Sequence, residues 1–302
     1  MVDLQQVLNS SISLRLASAL AQRLPPRVGY RIAYAIARQI ARRKHSSVVR
    51  VVRANQWVVH GEDVDGEMLN KIVRETFRHW ARSIFDLYHY IENPNAIEKL
   101  IVLEPSFQQF ARRSEFGDRG LVIVGLHLSN FDLILQWLCR QGMKPLIITI
   151  PNPQGGRQLE YEMHQRVGMR LLPASLGAFR QALKHLQQGG MVVTGIDRPI
   201  SQPEVCPRFF GRPAALHMHH IFLATKAHVP IVVAVTTLQE DGKYHVFASD
   251  FIEMDPHTDP QAGMLRNAEK VLGIAEEFIR RAPQQWSVPL PVWPQVMELV
   301  PN

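Results

Sequence analysis

Cysteine is almost missing from this chain of 302 residues: only Cys139 and Cys206 occur, with no metal-ligand spacing between them. Two thiols so far apart supply neither a zinc site nor a disulfide framework, which fits a reducing compartment, and both read as ordinary core residues. Long apolar runs are missing too. No stretch approaches the ~18 to 20 consecutive apolar residues that span a bilayer, and the first residues lack the basic-then-apolar order of a signal peptide. The expected location is therefore cytoplasmic or peripheral. No Gly-x-Ser-x-Gly elbow, Walker loop or Gly-x-Gly-x-x-Gly fingerprint is present, and no helix-turn-helix, zinc-finger or ribonucleoprotein motif, so nucleic acid is not an expected partner. What the chain does have is 46% hydrophobic residues, enough to bury a sizeable core.

Acid is scarce at one end. Residues 1 to 50 hold nine Lys and Arg against the single Asp3, while the rest of the chain is close to neutral. In "RVGYRIAYAIARQIAR" the residues Arg27, Arg31, Arg38 and Arg42 fall within about 60° of one another on a helix, beside a row of Val28, Ile32, Ile36 and Ile40. A basic amphipathic helix of this kind over residues 27 to 44 suits an anionic membrane surface. It equally suits a helix packed on its own domain with a solvated Arg face.

Helical periodicity dominates to about residue 115, with one long helix expected over 67–91 and shorter ones after Pro94 and Pro105. From residue 120 short apolar runs alternate with helical stretches: "LVIVGL", "DLILQWLCRQG", "PLIITI", "RQLEYEMHQRVG", "MRLLP", "GAFRQALKHLQQGG", "MVVTGI", "HHIFLATKAH", "VPIVVAVTT". That rhythm predicts an α/β fold, a mostly parallel sheet flanked by helices and preceded by an N-terminal helical region. The division falls into a helical region 1–115 and an α/β domain 116–302. A hairpin is expected at Asp241-Gly242 and a closing helix over 261–281.

One short stretch, "GLHLSNFD", carries the chemistry. His-x4-acid spacing arises about once by chance in a chain with 13 histidines and 27 acids, and here it occurs three times, at His60/Asp65, His127/Asp132 and His245/Asp250. Context separates them. Only His127 sits where a predicted strand hands over to a helix, and ligands of open α/β sheets collect outside the carboxyl ends of strands. Ser129 or Asn130 can cap the following helix, which puts Asp132 in its first turn, within reach of the imidazole. Such a pair can take the proton from an alcohol that attacks an acyl carbon. Asp197 and Arg198 follow "MVVTGI" at another strand end, as partners in the same crevice or as a structural ion pair. Arg208 and Arg212 flank "FFG", planar donors for phosphate beside aromatic surface, or plain surface residues. In "HMHH", His217 and His220 lie one turn apart, but with no third ligand the reading is a surface cluster at a helix start and no metal.

"HLSNFD" after an apolar strand, "GIDRP" about 65 residues later, "PRFFGRPAAL" and "VPIVVAV" occur in that order, and "PQQW" closes the series. This resembles the lysophospholipid acyltransferase superfamily, and within it the lipid A late acyltransferases and the phosphatidylinositol mannoside acyltransferases. The chain departs from the lipid A enzymes at "LLPASLGAF", which lacks an arginine near Pro173. The resemblance implies His127 as general base oriented by Asp132, with Asn130, Asp197, Arg198, Phe210, Gly211 and Arg212 at the substrate. It implies an acyl thioester donor, acyl-CoA or acyl carrier protein, no further cofactor, and a membrane lipid or glycolipid as acceptor. The enzyme would then work peripherally on the cytoplasmic face of the membrane. A lipid-binding protein of the same fold without activity, and a lipid hydrolase, are the alternatives. Neither thiol lies near a base, so no covalent acyl-enzyme is expected.

Overall fold

The computed structural model describes residues 18–91, 93–111, 119–151, 161–162, 164–165, 168–201 and 203–301. Helices come first, a helical stretch over 18–23 and then α1 (Pro26–Ala41), α2 (Ser47–Val59), α3 (Gly66–Tyr90) and α4 (Pro94–Glu98). The chain continues as β1 (Ile101–Leu103), α5 (Pro105–Ala111), β2 (Leu121–Gly125), α6 (Phe131–Arg140), β3 (Leu146–Thr149), β4 (Arg170–Pro173), α7 (Leu176–Gln187) and β5 (Met191–Gly195). A small hairpin of β6 (Arg208–Phe209) and β7 (Arg212–Pro213) precedes α8 (His219–Ala227), β8 (Ile231–Leu238), β9 (Tyr244–Ala248) and α9 (Pro260–Arg281). The expected helix "RQLEYEMHQRVG" falls largely outside the described residues.

The strands form one seven-stranded sheet in the order β1-β9-β8-β2-β5-β3-β4. β8, β2, β5, β3 and β4 run parallel, and β9 returns antiparallel to β8 through the turn at Asp241-Gly242. β1 joins parallel to β9, so the stretch before residue 115 is not wholly helical but contributes the edge strand. β2 is central and buried on both faces, and its near-continuous apolar run Leu121–Val124 is what such a strand requires.

The first helices are fitted to this sheet by small residues. Gly29, Ala37 and Ala41 are the buried positions of α1. A Cβ on Gly29 would stand 2.1 Å from the Phe85 ring, so only glycine lets α1 lie this close to α3. α3 starts at Asp65, whose carboxylate accepts the Met68 N–H. One buried cluster then runs from Val49, Val52 and Leu69 in the helices through Val124 and Val233 in the sheet to Trp286 and Trp293 near the C-terminus. The face of α1 that looks outward is the surprise: Val28, Ile32 and Ile36 are 42%, 42% and 53% exposed.

Candidate active site

Parallel pairing of β2 with β5 sets Gly125 opposite Gly195. Two residues beyond each glycine the strands have ended, and the side chains there are His127 and Asp197. His127 Nδ1 lies 2.7 Å from Asp197 Oδ1. The other oxygen, Oδ2, accepts the His127 backbone N–H at 2.7 Å and the Trp286 indole N–H at 2.8 Å. Asp197 is fully buried and the imidazole is 27% exposed. Burial pushes the Asp197 carboxyl up, but attraction to His127 and the three hydrogen bonds more than offset it, holding the group below the usual carboxylate range. A carboxylate so held accepts the Nδ1 proton and leaves Nε2 as the basic nitrogen.

This arrangement differs from the expectation that Asp132 orients the ring. Asp132 sits in the first turn of α6, and its Oδ1 is 2.8 Å from His164 Nε2 and accepts from Gln136 Nε2 at 3.3 Å. Burial raises the Asp132 carboxyl, while His164, Gln136 and the charge of His127 lower it by more. Its influence on His127 is therefore through space, and the directional contact at Nδ1 belongs to Asp197. Between His127 and Asp132 the backbone turns at Ser129, at φ 53°, and the carboxylate at the start of α6 meets His164.

The loop that carries His127 is strapped by the C-terminal segment. Ser129 N–H donates to the Gln285 carbonyl at 2.9 Å, and Ser287 N–H donates to the His127 carbonyl at 3.0 Å. Gln285 in turn clasps Leu238 at the end of β8 with both side-chain atoms, and Gln56 from α2 holds the Pro283 and Trp286 carbonyls. Trp286 is thus a site residue that the sequence reading did not assign, although "PQQW" was the signal that could have found it.

The remaining expected residues are placed as follows. Asn130 occupies the N-cap position of α6 without capping it. Its buried amide donates to the Ser83 carbonyl at 3.0 Å and reaches the Tyr244 hydroxyl at 3.4 Å, which itself donates to the buried Asp86 at 2.5 Å. Tyr30 of α1 also donates to Asp86, at 2.7 Å, so this network ties α1, α3 and β9 to the loop of His127. Arg198 is half-buried directly after Asp197. Phe210 and Gly211, at φ 50° and 74°, make the two-residue turn of the β6–β7 hairpin, for which glycine is suited. Phe209 beside them is fully buried and stacks on Trp293, edge-on to Trp286, so the "FFG" block backs the indole that holds Asp197. Arg212 pairs with Glu62 through two hydrogen bonds and joins this hairpin to the α2–α3 turn. Arg208 spans its own hairpin to the Gly211 carbonyl.

The "HMHH" cluster is buried or half-buried rather than superficial. His217 and His219 stack with ring centroids 3.9 Å apart, and His219 Nε2 meets Thr194 Oγ1 at 2.7 Å. Burial lowers all three imidazoles, His217 to about 4. No group of three or more metal-binding side chains occurs among the described residues. Cys139 and Cys206 are free thiols, each only partly buried, and burial pushes Cys139 up to about 11.

An open α/β sheet with a carboxylate-held imidazole at the carboxyl ends of its two central strands defines a class of α/β enzymes equipped to move a proton. The chain belongs to the bacterial lipid A biosynthesis acyltransferase family, whose profile matches residues 10–293, nearly its whole length. It is accordingly an acyltransferase of lipid biosynthesis. No curated protein matches it. Among the described residues no helix is long and apolar enough to cross a membrane.

Proposed function

We propose that this acyltransferase moves a fatty acyl chain from an acyl thioester, acyl-CoA or acyl carrier protein, to a hydroxyl of a membrane lipid or glycolipid. His127 Nε2 takes the hydroxyl proton as the oxygen attacks the thioester carbonyl. The C–O bond forms, the C–S bond breaks, and the imidazolium returns its proton to the departing thiolate. Asp197 fixes the tautomer and offsets the positive charge on the ring while the proton is held there, and no covalent acyl-enzyme intervenes. The observation that carries this reading is the 2.7 Å contact between His127 Nδ1 and Asp197. Asp132 assists by charge alone.

The reading extends to location. An enzyme with a lipid acceptor has to meet a bilayer, and α1 turns Val28, Ile32 and Ile36 outward beside Arg27, Arg31 and Arg38. Aliphatic side chains seated at the headgroup boundary with arginines on anionic lipid support a peripheral attachment on the cytoplasmic face. Incubation with a series of acyl-CoA and acyl carrier protein donors and extracted lipid tests the function. Acylated lipid formed with the release of thiol is the expected product. Free fatty acid formed equally well without any acceptor would make the protein a hydrolase, and no turnover with any donor would make it a binding protein.

A further inference from the structure

Away from His127, a cavity of about 160 Å³ opens between the end of α1, α2 and α3. Its charged lining is Arg42, Lys44, Arg53 and Arg74, over an apolar floor that includes Val49 and Val73, and none of its lining residues is acidic. Of the acids on the adjoining elements, Glu67 pairs with Lys71, Glu75 with Arg78 and Glu298 with Arg50. Arg53 sharpens the imbalance. It is 8% exposed, and among the described residues its guanidinium donates to the Pro301 and Gly66 carbonyls and to Asn70 Oδ1, all neutral oxygens.

A buried cation whose partners among the described residues are neutral dipoles attracts an anion brought beside it, which gains what water no longer supplies. Three further cations at the rim of the same cavity add to that attraction. The volume is several times the ~30 Å³ share of a water molecule, room for a tetrahedral oxyanion with its hydrogen-bonding groups. Arginine and lysine together supply the planar and point-charge donors that phosphate oxygens accept.

We propose that this cavity binds the phosphate of an anionic lipid headgroup. The phosphate chemistry follows from the cavity alone. The choice of a lipid over a free phosphate or the phosphates of coenzyme A rests on the membrane reading of α1, because α1 ends in the cavity wall at Ala41 and Arg42 while its outer face exposes Val28, Ile32 and Ile36. A headgroup held there would fix the height of the bilayer relative to the catalytic crevice.

The test is a ligand titration of the full chain followed by its melting temperature, with inorganic phosphate, dihexanoyl phosphatidic acid, dihexanoyl phosphatidylcholine and coenzyme A, at constant ionic strength set with chloride. Saturable stabilisation by phosphate is expected, at least tenfold tighter for phosphatidic acid and weaker for phosphatidylcholine. Lys44→Gln with Arg74→Gln should weaken phosphatidic acid at least tenfold without moving the melting temperature of the free protein, since both side chains are exposed; Arg53 is left intact because it also holds the Pro301 carbonyl. No stabilisation beyond chloride, or equal binding by the double variant, overturns the site. Inorganic phosphate binding as tightly as phosphatidic acid, or coenzyme A doing so and losing that binding in the double variant, overturns the lipid assignment. A third variant, Arg27→Gln with Arg31→Gln and Arg38→Gln, separates the two readings: it should keep the soluble lipid while losing vesicles. Vesicle binding unchanged in that variant would refute the membrane reading of α1 and leave the phosphate site standing.

Discussion

Asp132 Oδ1 and His164 Nε2 are 2.8 Å apart, so the carboxylate of the His-x4-Asp spacing is already committed to a second histidine. The orienting contact on the first histidine, His127, comes from Asp197, 70 residues further along the chain. Two His–carboxylate pairs therefore share one crevice, and their carboxylates differ in consequence when removed.

His127→Ala should lose transfer by roughly 10²- to 10⁴-fold, the usual contribution of a general base, with an unchanged far-UV circular dichroism spectrum. Asp197→Asn should approach that loss, whereas Asp132→Asn should lose less, because it removes a distant charge and leaves the tautomer. Initial rates with a saturating thioester rank the three. A ranking with Asp132→Asn below Asp197→Asn would return the orienting role to Asp132.

Trp286→Phe deletes the indole N–H that Asp197 Oδ2 accepts at 2.8 Å while keeping most of the aromatic packing against Phe209. One donor fewer raises the Asp197 carboxyl, so the acid limb of the pH–rate profile should move to higher pH and kcat should fall about tenfold, the worth of roughly one hydrogen bond to a charged group. An unchanged acid limb would reduce Trp286 to packing.

Acid should begin to destabilise the fold above the range in which carboxylates titrate. His217, His219 and His220 are all lowered by burial, His217 to about 4. Since the folded values lie below the unfolded value of about 6.5, the unfolded chain binds more protons between them; the stability is complete above about pH 6.5 and is lost as pH falls toward 4. His217 alone makes this loss on the order of a few kcal/mol. Melting curves from pH 8 to pH 4.5 should fall steeply for the parent and less for His220→Leu, whose parent ring has neither nitrogen hydrogen-bonded among the described residues. Parallel curves would refute the argument.

Gly29→Ala drives a methyl group into the Phe85 ring, to 2.1 Å. Repacking of that kind typically costs about 1–3 kcal/mol, and here it should lift α1 from α3. A melting temperature lowered by several degrees is expected, and recovery in the double variant with Phe85→Leu would show that the clash is the cause. Failure of Phe85→Leu to restore any stability would locate the cost elsewhere.

Vesicle binding should depend on charge and on the aliphatic row separately. Arg27→Gln with Arg31→Gln and Arg38→Gln should abolish co-sedimentation with anionic vesicles at low salt, and 1 M salt should release much of the parent, because screening lengths shrink from about 10 Å at 0.1 M to about 3 Å. Ile32→Asp with Ile36→Asp should weaken binding even at low salt, without destabilising a fold in which both side chains are exposed. Parent protein that ignores anionic vesicles would leave the exposed row unexplained.

The sequence by itself determined what depends on near neighbours. Apolar runs such as Leu121–Val124 alternating with amphipathic stretches dictate strands between helices, Asp241-Gly242 dictates the hairpin, and the arrival of His127 at a strand end follows from where its apolar run stops. Even the two rows of α1 were legible, because helical periodicity is local. That α1 packs through neither row was not, since the inward face is set by the small residues Gly29, Ala37 and Ala41, the first of them meeting Phe85 on another helix. The same limit governs the site. His-x4-Asp spacing places two residues within one turn, but a hydrogen bond needs direction as well as proximity, and direction came from the register of β2 against β5, which sets His127 beside Asp197, and from the C-terminal strap that brings Trp286 to the same carboxylate. Arg212, read as a hand for an anion, was taken by Glu62 for the same reason: the partner lies 150 residues away, and only the folded chain brings the two charges together.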